Sequence, residues 1–359
     1  MKRNLVIISV ILLTLFGIIM IYSASYVVAE YKYDNPFKFV INQAIFGIIG
    51  IILMFIFSKI NYNLYFDNAN KILISCIILL ILVLIPGIGT VRNGSRSWFG
   101  IGGFGIQPSE FTKLGLIIFT SKYLYNNQRN LSDIKKTVLP ILGVLITIFG
   151  LIMLQPDFGT GTIICMSIIG LLFVSGVSFK FFLKIGSIGV IGIVGLILIA
   201  PYRLSRILSF LDPWSDPLGS GFQIIQSLYA IGPGGLLGFG FLNSRQKHFY
   251  LPEPQTDFIF SIISEEFGFM GVVIVTTLFL TLIISSIKIS LKCNDLFGKY
   301  LCFGIIFQLS FQTILNLCVV TGIIPVTGVT LPFLSYGGSS LLITLVEIGV
   351  ILNIASYEK

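Results

Sequence analysis

Long stretches without a single charge recur along this chain, and they restrict its fold more than any other feature. The segment "LVIISVILLTLFGIIMIY" (5–22) is the first of them. Runs of about 20 apolar residues match the thickness of a bilayer core. In lipid, only helices and closed barrels satisfy their own backbone groups. Unbroken runs, as opposed to short alternating segments, point to helices. Charged residues make up 11% of the chain, against roughly 25% in a soluble domain. The predicted fold class is therefore all-α: a polytopic integral membrane protein with about ten transmembrane helices. The spans are placed at 5–28, 39–57, 72–89, 108–124, 138–154, 159–177, 181–201, 258–287, 300–321 and 339–355.

Most of the 23 Lys and Arg fall on the ends and loops that share a side with the N-terminus. The positive-inside bias then places both termini in the cytoplasm. The net charge of +8 needs no nucleic acid, because anionic lipid headgroups account for it. Lys2, Arg3 and the apolar run imitate a signal peptide. That run is too long for a cleaved core, so it reads as a retained first helix. The five cysteines form no C-x-x-C pair and read as small core residues. No internal repeat is visible, which weighs against common transporter architectures.

The chain reads as one domain, 1–359, with two informative outer segments, 90–107 and 202–256. The second is a large extracytoplasmic loop between spans seven and eight. Loops of that length are usually functional or disordered. This one mixes Trp, Tyr, Phe and apolar patches, so it is expected to fold on the membrane surface. Within it, "GFQIIQSLYAIGPGG" (221–235) reads as a short amphipathic or re-entrant helix stopped by Gly232-Pro233.

Asp257 opens the next span. A helix starting near Thr256 puts Asp257, Ser261, Ser264 and Glu265 on one side. A helix cap explains a lone Asp there. Three carboxylates on one span (Glu266 is the third) cost about 2.5–3.5 kcal/mol each at mid-bilayer, which favours a functional stripe. In "QPSEFTK" (107–113), Pro108 suits the first helical turn, with Gln107 as cap and Glu110 completing a capping box. Glu110 and Lys113 face each other at i, i+3, either as a structural ion pair or as a buried cation awaiting an anionic ligand. "QPDFGT" (155–160) brings Asp157 to an outer turn, where Pro, Asp and Gly are ordinary residues. Arg203, Arg206, Arg245 and Lys247 lie outside, against the charge bias. An anionic substrate such as a phosphate or pairing with acids inside the loop are the two explanations.

Other patterns carry little. Residues 100–105 satisfy G-x-G-x-x-G without the strand and helix context the motif needs. His248 is the one histidine and has no nucleophile elbow beside it. No spacing of acids and His248 matches a metal site.

Seven stretches together resemble a known family. They are "MIYSAS" (20–25), "RSWF" (96–99), "IQPSEFTKL" (106–114), "QPDFGT" (155–160), "FLDPWSDPLGSGFQIIQSLYAIGPGGLLGFG" (210–240), "SRQKHFYLPEPQTDFIF" (244–260) and "TGIIPVTGVTLPFLSYGGSS" (321–340). The chain resembles the shape, elongation, division and sporulation family, in wording nearest its FtsW and stage V sporulation protein E branch. The resemblance implies ten spans and a peptidoglycan glycosyltransferase that polymerises lipid II on the outer face of the cytoplasmic membrane, for division or spore cortex. It matches Asp257 to the family's essential aspartate, while Gln255 stands where many members have His. Arg96, Trp98, Glu110, Lys113 and Asp157 match further functional positions, and Arg203 and Arg206 match a basic outer segment more loosely.

Asp257 is then the candidate general base for a sugar hydroxyl, and a single catalytic base predicts inversion. The basic residues would meet the pyrophosphate, with a divalent cation, Mg2+ or Mn2+, as candidate cofactor. A lipid II flippase or other transporter is the alternative. The chain carries no S-x-x-K nucleophile with its accompanying motifs. Strand cross-linking is therefore expected from a partner, by resemblance a class B penicillin-binding protein.

Overall fold

The computed structural model describes residues 2–92, 94–101, 104–131, 133–199, 210–219 and 221–357. Ten helices of membrane-crossing scale run through them. Seven meet length and apolarity limits outright: α1 (Lys2–Tyr33), α2 (Lys38–Phe57), α3 (Asn63–Leu84), α5 (Ile134–Met153), α9 (Ile259–Lys292), α10 (Leu296–Val320) and α11 (Gly338–Ser356). Three more are α4 (Pro108–Asn126), α6 (Phe158–Val174) and α7 (Phe179–Ile199). The protein is a multi-pass membrane protein, as the apolar runs require.

The third span starts and ends earlier than the apolar run suggests. Ile85, which follows α3, is extended (ψ 125°) because it precedes Pro86, and a following proline disfavours the helical region. The freed segment folds as β1 (Thr90–Arg92), β2 (Ser95–Ile101) and β3 (Phe104–Ile106), an antiparallel sheet in the order β1-β2-β3. A purely helical reading had no place for it. Trp98 lies opposite Thr90, and Phe99 opposite Ile106. The expected short helix of the long loop is α8 (Phe222–Ile231), closed by a 3-10 turn at Gly232–Gly234.

The centre of the bundle is α11, whose residues 343–354 are all buried. An all-round apolar helix belongs in such a position. Small residues let its neighbours approach: a methyl group on Gly349 would stand 2.6 Å from the Met54 carbonyl of α2.

Helix α9 is broken. Gly268 sits at φ 59°, ψ −154°, backbone open essentially to glycine alone. The break frees backbone groups that lipid cannot satisfy, and residues 235–240 take them. Phe269 N donates to Gly235 O at 2.9 Å and Met270 N to Leu236 O at 3.1 Å. In return Phe239 N donates to Glu265 O at 3.0 Å and Gly240 N to Glu266 O at 2.9 Å.

Candidate functional site

Asp257 lies in a turn, and α9 begins at Ile259 with Phe258 as its N-cap. Asp257 is therefore not part of a helical stripe. Its segment is fixed by three successive carbonyls. Tyr336 N donates to Gln255 O at 2.8 Å, Ser335 Oγ to Thr256 O at 2.6 Å, and Asn316 Nδ2 to Asp257 O at 2.8 Å. The half-buried carboxylate lies beside Gly328, where a methyl group would come 3.7 Å from Oδ2. Gly328 has φ 73°, so the connection between α10 and α11 bends there without a side chain over the acid.

That connection gathers the other acids and the lysine. Val329 O accepts from Asn316 Nδ2 at 2.7 Å, and Thr330 O accepts from Gln312 Nε2 at 3.0 Å. Gln312 Oε1 accepts from Lys113 Nζ at 3.1 Å, and Lys113 Nζ lies 2.8 Å from Glu110 Oε2. The predicted i, i+3 pair is thus formed, and both side chains are buried. The backbone of Thr327 packs against Gly159 at the start of α6.

Asp157 caps α6 by accepting from Thr160 N at 3.1 Å and also accepts from Gln107 Nε2 at 2.9 Å. Burial holds its carboxyl above the ordinary carboxylate range, with Glu110 adding to the rise and the Thr160 bonds and Lys113 opposing it. Gln107 does not cap α4, as the capping-box reading had it: no side-chain cap bond forms there. Its amide holds Asp157 instead, and the third helical N–H, that of Glu110, donates to the Gln107 backbone carbonyl at 3.1 Å.

The strand β2 carries Arg96 and Trp98, both half-buried. Arg96 Nη1 donates to Leu84 O at 3.5 Å, and Trp98 O accepts from Thr90 Oγ1 at 3.0 Å. Ser95 Oγ donates to Gln155 O, tying this strand to the loop of Asp157. Arg203 and Arg206 lie outside the described residues. Asp257, Glu110, Lys113 and Asp157 are therefore brought to one end of the bundle, linked through residues 327–330, with β2 at the same end.

The remaining carboxylates of the expected stripe have a different job. Glu265 accepts from Ser244 Oγ at 2.5 Å and Arg245 N at 2.8 Å. Glu266 accepts from Ser23 Oγ at 2.6 Å and pairs with Lys247 Nζ at 2.8 Å. Ser264 bonds within its helix, to Phe260 O. These groups fasten the loop to α9 and α1, so pairing with acids inside the protein explains Lys247. Ser23 lies in "MIYSAS", a stretch singled out in the sequence without a role.

Two polar groups went unnoticed in the sequence. Asn316 and Glu347 sit inside apolar runs that show no partner; Glu347 Oε1 accepts from Gln308 Nε2 at 2.8 Å, both side chains buried. Among the described residues no group of three or more His, Cys, Asp or Glu could hold a metal ion.

Comparison with known proteins places these features. A family profile described as "Cell cycle protein", covering FtsW, RodA and SpoVE, matches residues 3–359. Stage V sporulation protein E of Bacillus subtilis (strain 168) is 52% identical over 355 residues, covering 99% of this chain and 97% of that protein. The probable peptidoglycan glycosyltransferase FtsW of Geobacter sp. (strain M18) is 39% identical, covering 98% and 96%. A solved structure described as "structural coordination of polymerization and crosslinking by a peptidoglycan synthase complex" superposes with TM-score 0.80 at 31% identity, covering 99% and 98%. The rod shape determining protein RodA of Thermus thermophilus superposes with TM-score 0.72 at 27% identity, covering 98% and 96%.

Proposed function

The chain belongs to the FtsW, RodA and SpoVE family of cell cycle proteins, and from that premise we propose that it is a peptidoglycan glycosyltransferase. Its substrate is lipid II, polymerised at the outer face of the cytoplasmic membrane for division or spore cortex. The observation that carries this reading is the clamped, half-buried Asp257, with Lys113, Glu110 and Asp157 at the same end of the bundle.

The C4 hydroxyl oxygen of one lipid-linked disaccharide bonds to the anomeric carbon of another chain. The bond from that carbon to pyrophosphate breaks, and undecaprenyl pyrophosphate leaves with the electron pair. Asp257 takes the hydroxyl proton as general base. One base without a partner nucleophile gives inversion. Lys113 and Arg96 are the candidate cations for the developing pyrophosphate charge, Arg203 and Arg206 belong to the same basic outer set, and Trp98 and Asp157 border the substrate. A divalent ion finds no three-residue acidic, His or Cys set among the described residues, and no step here runs through one.

In this reading both termini are cytoplasmic and the 202–256 loop is extracytoplasmic. The cross-linking partner is a class B penicillin-binding protein, supported by the similarity to a synthase complex that coordinates polymerization and crosslinking. The test is purified protein with labelled lipid II. Wild type should yield glycan strands, and Asp257→Ala should yield none while inserting normally. Normal polymer from Asp257→Ala would overturn the general-base assignment.

One observation favours a second reading, a lipid II flippase. Gln308 and Glu347 extend a buried polar path from Lys113 and Gln312 into the helical core, as alternating access would use. Lipid II translocation by protein reconstituted in liposomes, without polymer, would favour it.

A further inference from the structure

We propose that Asn316 and Ser335 are positioning residues for Asp257, an inference that rests on Asp257 acting as the base. Asn316 is fully buried in α10 and gives both amide hydrogens to backbone carbonyls, one to Asp257 and one to Val329. A single side chain thereby joins the acid's own residue to the strand of chain that passes beside its carboxylate at Gly328. Ser335, also buried, donates to Thr256 O and accepts from Leu331 N at 2.8 Å. Its own carbonyl accepts from Gln43 Nε2 at 3.1 Å, and Gln43 Oε1 accepts from Gly337 N at 3.1 Å.

The bonds reach consecutive residues from two directions, α10 on one side and the residues just before α11 on the other. They fix the backbone of a turn that no helix supports, because α9 starts only at Ile259. A turn held at one carbonyl can pivot. Held at 255, 256 and 257 together it cannot, so the carboxylate is aimed by its backbone. Misplacing a catalytic group by about 1 Å can cost 100-fold in rate.

An internal control exists at the opposite end of the bundle. Asn353 is equally buried and also makes two backbone bonds, accepting from Tyr62 N at 3.1 Å and donating to Ser58 O at 3.0 Å. The experiment compares Asn316→Ala, Ser335→Ala, Ser335→Thr and Asn353→Ala in the full-length purified chain, with fluorescent lipid II. Thermal unfolding, kcat and KM are measured for each. Asn316→Ala and Ser335→Ala should lose about 100-fold in kcat with KM little changed. Ser335→Thr keeps the hydroxyl and should restore most of it. Asn353→Ala should lower the melting temperature as Asn316→Ala does and leave kcat unchanged.

Wild-type kcat in Asn316→Ala would overturn the inference, and so would a kcat loss in Asn353→Ala that tracks its melting temperature. Where Asn316→Ala fails to fold, the Ser335→Ala and Ser335→Thr pair decides, because equal kcat in the two also overturns it. Polymerisation by Asp257→Ala defeats the underlying reading of the base and the inference with it. An inactive Asp257→Ala beside a fully active Asn316→Ala defeats the positioning claim alone.

Discussion

Lys247 Nζ stands 2.8 Å from Glu266 Oε1, and both side chains are completely buried. Ser23 Oγ, 3.2 Å from the same nitrogen, adds α1 to the contact. A charge left alone at such a site is expensive: removing one partner of a buried pair costs about 3–5 kcal/mol. Lys247→Met should therefore sharply lower the thermal midpoint in detergent. Adding Glu266→Gln removes the orphaned charge and should recover part of the loss, which a double-mutant cycle measures. A Lys247→Met protein melting like wild type would show that the pair does not hold the loop.

Gly268→Ala should damage folding far more than an alanine elsewhere in the bundle. At φ 59°, ψ −154° a side chain strains the backbone by about 1–3 kcal/mol. The new methyl would also stand 2.7 Å from Leu236 C, pushing out the segment that satisfies the broken helix. Gly143→Ala in α5 meets nothing within 4 Å and should be nearly neutral. Monodisperse yield and thermal midpoint for the two variants make the comparison.

The contrast shows what could be read from the sequence. Apolar runs located the spans because burial in lipid depends on composition summed over a window. The break at Gly268 depends on one residue's dihedral angles, which the uncharged run from Phe267 to Val275 does not report. The sheet before α4 was missed because β1 and β3 have three residues each and β2, "SRSWFGI", shows no apolar alternation. The i, i+3 pair of Glu110 and Lys113 was legible since helical spacing alone brings it together. Lys247 and Glu266 are 19 positions apart, and Asn316 reaches across 59 to Asp257. No local pattern encodes such reaches. Glu265 and Glu266 look like site residues when only their desolvation cost is weighed. Their partners at 244–247 become visible only after the loop folds back.

Topology follows from the charge bias and is directly measurable. In a cysteine-free background, Leu218→Cys, 88% exposed in the long loop, should react with a membrane-impermeant maleimide in intact cells. Asn130→Cys, exposed between α4 and α5, should react only after permeabilisation. The reverse pattern would place the site on the cytoplasmic side and exclude an outer-leaflet polymerase.

Polymerisation should rise when the chain is co-purified with its cognate transpeptidase, and a transpeptidase-inactive partner should raise it equally. A partner activates only by binding the active arrangement better than the alternatives, and that requires no cross-linking chemistry. Equal rates with and without any partner would remove the activation claim and leave the glycosyltransferase reading standing.

Glu110 and Lys113 admit two roles, and one set of variants separates them. As a structural pair, their ion bridge at 2.8 Å matters only because burying either charge alone is costly. Lys113→Met should then destabilise the protein, and the uncharged double variant Lys113→Met with Glu110→Gln should recover both stability and turnover. If Lys113 meets the pyrophosphate, the outcome splits. The double variant regains its melting temperature, yet kcat stays down by about 100- to 1,000-fold, the usual scale for losing one group that stabilises transition-state charge. The cation reading expects this split, because Gln312 Oε1 already holds Lys113 Nζ at 3.1 Å. The ammonium can thus turn from Glu110 to an arriving anion without losing every partner. Lys113→Arg keeps the charge but replaces a compact ammonium with a planar fork, so it should retain more turnover than methionine does. Full turnover in the uncharged double variant would assign the pair to structure alone.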